Sequence, residues 1–109
     1  DGRQISGHRV MRPIHVVRLD KARPALILTR SSAIPYLTHV TVAPITSTIR
    51  GIVSEVPLSE RNGLDHDSVA SLDNVTTVPV SAIGRLIGFL EPEDETTLTA
   101  VIERSFDLH

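Results

Sequence analysis

The apolar residues of this chain come in short runs, each cut off by proline or a polar turn. Arg23-Pro24-Ala25-Leu26-Ile27-Leu28 and Val42-Ala43-Pro44-Ile45-Thr46-Ser47-Thr48 set the pattern. Runs of this length suit strands, and a strand tolerates proline at its first position, where Pro24 stands. A chain built from such pieces is confined to a small β-rich fold. Each run also carries one polar residue at an end: Arg23 before the first, Thr46 after the second.

The strand pattern continues along the chain. Ile14–Leu19 is rich in Val and Ile and predicts a strand, joined by the tight connection Leu19-Asp20-Lys21-Ala22 to a buried strand over Pro24–Thr29. Ser31–Tyr36 reads as a loop containing Pro35. Leu37–Ile45 alternates like a strand, Ser47–Gly51 is a polar turn, and Val53–Leu58 is a further short strand. Ser59–Asp67 is a loop marked by the turn dipeptide Asn62-Gly63. Ser68–Leu72 and Val75–Val78 read as a strand pair or one bulged strand. A helical turn over Val80–Ile83 and a last strand over Arg85–Leu90 follow.

The final element is a helix. Pro92 suits its first turn, and Glu93, Asp94 and Glu95 complement the positive end of the helix dipole. Leu98, Val101, Ile102 and Phe106 then fall on one face, with Arg104 near the end. Short strands with one closing amphipathic helix predict a barrel or curled sheet with the helix packed against it. Residues 1–10 are polar and aperiodic. They read as a poorly ordered extension or expression remnant, with the working domain over 11–109.

Composition limits what such a domain can be. With 109 residues, two Phe, one Tyr and no Trp, its core must be built from Val, Ile, Leu and Ala. A core of this kind is marginal alone, and dimerisation is expected to supplement it. The absence of cysteine removes disulfides, thiolate metal sites and cysteine nucleophiles. No apolar run reaches the roughly 18 residues of a membrane span, so a soluble, cytoplasmic protein without a membrane partner is expected.

Charge is unevenly spread. Residues 1–30 carry seven basic and two acidic side chains, a net of +5, and the rest of the chain has four basic against eleven acidic, a net of −7. A solvated surface produces such an imbalance by chance. A local cationic site on an acidic body, suited to a polyanion, produces it too.

Few residues offer chemistry. Asp65-His66-Asp67 has metal-ligand chemistry, but adjacent turn residues point in different directions and no further ligand follows at a metal-site spacing, which favours a solvated loop. His15 and His39 lie within strands and read as packed or hydrogen-bonded residues. No phosphate-binding glycine loop, nucleophile elbow or spaced carboxylate pair occurs, so neither metal nor nucleotide cofactor is expected. Arg23 and Thr46 remain. Arginine presents a planar fork matching two phosphate oxygens, and the Thr46 hydroxyl, with Ser47 and Thr48 behind it, can donate to the same group. Spacing alone favours the plainer readings: an Arg23–Asp20 ion pair and an ordinary polar turn.

Six motifs in order say more. Arg23–Leu28 is followed by Val42–Ser47, Glu55-Val56-Pro57-Leu58, Gly63-Leu64-Asp65-His66-Asp67-Ser68-Val69, Leu72-Asp73-Asn74-Val75-Thr76-Thr77-Val78 and Ile83-Gly84-Arg85-Leu86-Ile87-Gly88. Together they closely resemble the MazF/PemK (Kid) toxins of bacterial toxin–antitoxin systems, from about Met11 to Leu108. Met11-Arg12-Pro13-Ile14-His15 is similar to a short-loop, mycobacterial-type branch.

The resemblance implies an SH3-like barrel of the CcdB/MazF type with a C-terminal helix, working as a homodimer. It implies a metal-independent endoribonuclease, without cofactor, that cuts single-stranded mRNA, rRNA or tRNA at short sequences and arrests growth by halting translation. The RNA 2′-hydroxyl attacks the adjacent phosphodiester, leaving 2′,3′-cyclic phosphate and 5′-hydroxyl ends. By motif position Arg23 is the catalytic arginine, stabilising the pentavalent phosphate and protonating the leaving oxygen, with Thr46 holding a phosphate oxygen. Lys21, Ser47, Thr48, Asn74 and Thr76 fall where the family binds RNA.

Two departures stand out. The first hairpin is shortened to Asp20-Lys21-Ala22 and lacks the family's usual acid/base segment, so Asp20, and after it Asp73, are the substitutes. Thr76 stands where many members carry arginine, which implies a different RNA preference. A MazE-like antitoxin with an acidic or amphipathic segment is the expected protein partner, held in a salt-sensitive way. The rival from another class is a CcdB-like, non-catalytic toxin that acts on gyrase by protein contact.

Overall fold

Burial on both faces of the central strands shows how so small a chain encloses a core. A computed structural model describes residues 11–105, with seven strands and one helix of more than a single turn. The strands are β1 (Pro13–Arg18), β2 (Ala22–Ile27), β3 (His39–Thr46), β4 (Glu55–Leu58), β5 (Ser68–Ser71), β6 (Thr76–Pro79) and β7 (Ile83–Phe89). The helix is α1 (Pro92–Ser105). The expected extension over residues 1–10 and the helical position Phe106 lie outside the described residues.

All pairings are antiparallel, in the order β4-β5-β3-β2-β1-β7, with β6 also on β3. On one sheet face Leu26, Ala43 and Ile45 join Val56, Leu58, Ala70, Leu98 and Val101 in a buried cluster. On the other, Ala25, Ile27, Val40 and Val42 join Val17 and Val78 in a second. Both faces of β2 and β3 are therefore covered, which is why their sequences read as nearly unbroken apolar runs. The result is the curled, mostly β half-barrel with one closing helix that the sequence predicts.

β3 organises the sheet. Its first half pairs with β6 through Val42 opposite Thr76, and its last residues pair with β5 through Ile45 opposite Ala70. Pro44, which has no N–H to donate, falls at the gap between these two partners. This corrects the expectation that Ser68–Leu72 and Val75–Val78 form a strand pair or one bulged strand. A single 3-10 turn over Leu72–Asn74 separates β5 from β6, and both attach to β3 instead. The turn is held locally, where Asn74 Nδ2 donates to Ser71 Oγ at 2.9 Å.

α1 is fastened at its N-terminal end. Buried Asp94 accepts from the Glu91 backbone N–H (2.8 Å), from Asn62 Nδ2 (2.8 Å) and from Arg61. Glu95 accepts from both the backbone N–H and the guanidinium of Arg12, just before β1. Leu98 and Val101 enter the first cluster and Ile102 packs against it. Leu98→Ala is expected to cost about 2–5 kcal/mol, read as a fall in the urea midpoint at constant slope. An unchanged midpoint would remove α1 from the core.

Candidate active site

Arg23 and Thr46 meet because of strand register. The β2–β3 ladder ends with Ala25 opposite Pro44, and Arg23 and Thr46 each lie two residues beyond that pair, where both line the same clefts. Both side chains are half-buried at the ends of their strands. They form a wall shared by two clefts, one of about 700 Å³ and one of about 340 Å³.

The Arg23 guanidinium is only partly engaged. Its Nη2 donates to Asp20 Oδ2 at 3.2 Å, while its Nε is buried without a hydrogen-bond partner among the described residues. Asp20 is mostly exposed, at 74% of its side chain. It also accepts the Lys21 backbone N–H at 3.0 Å, which fixes the three-residue connection between Arg18 and Ala22. The Thr46 hydroxyl accepts the Thr48 backbone N–H at 3.1 Å, so its own proton is directed elsewhere. A fork of donors and a hydroxyl donor thus line the same concave, partly desolvated surface. Such a pair can hold two oxygens of one phosphodiester.

The remaining sequence candidates divide between the clefts. Lys21 and Ser47 line the larger cleft. Thr48 and Asn74 line the smaller one. Asp20 lines neither and reaches the site through Arg23. Asp73 and Thr76 line neither; Asp73 lies 4.0 Å from Arg50, and Thr76 begins β6 opposite Val42.

Several lining residues were not among the site candidates of the sequence, although most lie in its motifs. Asp65, His66 and Arg85 line the larger cleft, while Asp67 faces a different one, so the three adjacent residues do not converge. Arg50, Glu55 and Ser71 line the smaller cleft. Glu55 sits on β4 as an ordinary strand residue in sequence, yet it is a buried carboxylate. It accepts the backbone N–H of Gly51 (2.8 Å), Arg50 (3.2 Å) and Ile52 (3.4 Å), and its Oε2 lies 3.6 Å from Arg50 Nε. Burial acts to raise its pKa, but these three donors and the Arg50 charge outweigh burial and hold it below the ordinary 4.5.

Because the folded pKa is the lower one, the stabilisation from Glu55 is complete above pH 4.5 and is lost as pH falls through the folded value. Glu55→Gln is expected to reduce stability near neutral pH and to flatten the acid limb of the stability curve. Equal slopes for both proteins below pH 4.5 would contradict this.

Comparison with known proteins places this geometry. The family model for the PemK-like, MazF-like toxin of type II toxin–antitoxin systems matches residues 12–106. The chain belongs to that family. Endoribonuclease MazF3 of Mycobacterium tuberculosis is 55% identical over 98 residues, covering 90% of this chain and 95% of that protein. A probable endoribonuclease of the same organism, MazF5, is 42% identical over 71 residues, covering 59% of this chain and 63% of that protein. The solved Mycobacterium tuberculosis toxin MazF-mt6 superposes with a TM-score of 0.86 at 54% identity, covering 90% of this chain and 99% of that one. An endoribonuclease from a mycobacterial species, solved with its cognate antitoxin, shares the fold at 20% identity, with a TM-score of 0.79 over 93% of this chain and 98% of that one. Against these MazF-like relatives the CcdB-like alternative is not favoured. No helix among the described residues is long and apolar enough to cross a membrane.

Proposed function

We propose that this MazF-like chain is a toxin that cuts single-stranded RNA, with Arg23 and Thr46 as its phosphate clamp. The observation that carries the reading is that the Arg23 guanidinium, only partly partnered among the described residues, lines the same two clefts as the Thr46 hydroxyl. MazF relatives carrying the name endoribonuclease supply the reaction class.

The substrate brings its own nucleophile. The RNA 2′-oxygen bonds to phosphorus, the bond from phosphorus to O5′ breaks, and a 2′,3′-cyclic phosphate and a 5′-hydroxyl result. Charge grows on the non-bridging oxygens as the pentavalent state forms, and Arg23 and Thr46 donate to those oxygens without reorganising. Asp20, beside Arg23, takes the 2′-hydroxyl proton; the leaving O5′ is protonated by Arg23 or water. Lys21, Ser47, Thr48 and Asn74 hold the strand on either side. Asp73 and Thr76, which like Asp20 line neither cleft but lack its contact with Arg23, act on RNA only further along its path.

The chain works as a cytoplasmic homodimer, restrained by a MazE-like antitoxin; one relative of the same fold was solved with its cognate antitoxin. The decisive experiment is purified protein with long RNA in EDTA. Discrete cuts with 5′-hydroxyl ends, abolished by a single 2′-deoxy substitution at the cut, are expected. Intact RNA, or cutting that survives the 2′-deoxy substitution, would sink the proposal.

A further inference from the structure

The two clefts beside Arg23 and Thr46 are not alike. The larger, about 700 Å³, is within the range of about 300–1,000 Å³ typical of small-ligand sites. Its apolar surface comes from Val16, Pro24, Ile45, Leu64 and Ile87. The same cleft is lined by the exposed side chains of Lys21, Asp65, His66 and Arg85. Among the described residues none of these four charged or titratable groups forms a salt bridge.

The segment carrying Asp65 and His66 is clamped at both ends. Asn62, fully buried, uses its amide three ways: its Oδ1 accepts Ser59 N–H at 3.0 Å, and its Nδ2 donates to Phe89 O at 3.0 Å and Asp94 Oδ2 at 2.8 Å. Gly63, at φ +90°, lies so close to β7 that a Cβ there would meet Ile87 O at 2.3 Å. At the other end the buried Ser68 hydroxyl donates to His66 O at 3.1 Å. This anchoring holds the exposed Asp65 and His66 in a fixed place beside the cleft.

We infer that the larger cleft seats one nucleotide base beside the scissile phosphate, and that Asp65 and His66 read it while Arg85 holds a neighbouring phosphate. This rests on the ribonuclease reading above and adds its specificity determinants. Single-stranded RNA is read by unstacking a base onto an apolar or aromatic surface and hydrogen-bonding its edge. The aliphatic surface covers one face of the base, and the His66 ring supplies a stacking partner. The Asp65 carboxylate only accepts hydrogen bonds, so it favours an edge bearing an exocyclic amino group (cytosine, adenine or guanine) over uracil.

The test is cleavage of a randomised RNA library by the purified full chain, with the 5′-hydroxyl ends sequenced. The unaltered protein is expected to disfavour uracil at one position next to the cut. Asp65→Asn turns a pure acceptor into a donor–acceptor amide, and should shift that single position toward uracil by about tenfold or more. His66→Ala should raise KM and relax the same position, with both variants melting like the parent. A merely structural loop would change overall rate without changing preference at one position. Wild-type preference at every position in both variants overturns the base seat, as does a parent that favours uracil on both sides of the cut. A parent that leaves RNA intact overturns the ribonuclease reading and this inference with it.

Discussion

Arg23→Ala is expected to lower kcat/KM for RNA cleavage by about 10²–10³-fold or more, while the protein stays folded. The two effects separate because of how the side chain is held. Its one ion pair among the described residues, with exposed Asp20 at 3.2 Å, is of the surface kind that contributes about 0–1 kcal/mol. Its Nε is buried without a partner, and an orphaned buried donor costs about 1–3 kcal/mol, so removing the side chain also removes that cost. The melting temperature should therefore be unchanged or slightly raised. Arg23→Lys retains the charge but loses the planar fork, and its rate should fall between the two. A fully active Arg23→Ala protein would remove the clamp from the mechanism.

A large loss of stability is expected at a glycine that carries no part of that charge. A Cβ on Gly88 would lie 2.0 Å from the Asn62 carbonyl oxygen and 2.7 Å from its carbon. Neither atom belongs to a flexible side chain, and Asn62 is held by the three hydrogen bonds of its amide. β7 and the Asn62-Gly63 turn must therefore separate. Gly88→Ala is expected to cost about 3 kcal/mol or more, at the upper end of overpacking penalties. For a domain of this size that corresponds to a fall in Tm of roughly 12–24 °C. Gly51→Ala provides the contrast. Nothing lies within 4 Å of a Cβ there, so only its φ of +74° opposes the change, at about 1–2 kcal/mol. If the two variants melt alike, the close approach of the turn to β7 is wrong.

Much of the fold was legible from local pattern. The β1–β2 hairpin, the long β3, the polar turn after it and the acidic start of α1 all follow from alternation, proline placement and the helix dipole. What failed was the segment from Ser68 to Val78. Its two apolar stretches look like partners because they are neighbours in sequence. Asn74 instead bends the chain onto Ser71, and each stretch finds its hydrogen bonds on a different part of β3. Burial of Glu55 was equally hidden. A glutamate in a short strand looks exposed until a loop wraps three N–H groups around it.

The sequence by itself determined the β-rich class, the closing helix, the family and the two polar residues at the ends of the central runs. These depend on periodicity, turn chemistry and motif order, all of which are local or nearly so. Only the tertiary structure decided that Arg23 and Thr46 come together, that two unlike clefts share them as a wall, and that Asp65 and His66 line one of those clefts. Strand register and loop docking are set by contacts between residues far apart in the chain, such as Asn62 with Gly88 and β7. A linear pattern carries no record of which distant backbone will lie within hydrogen-bonding distance.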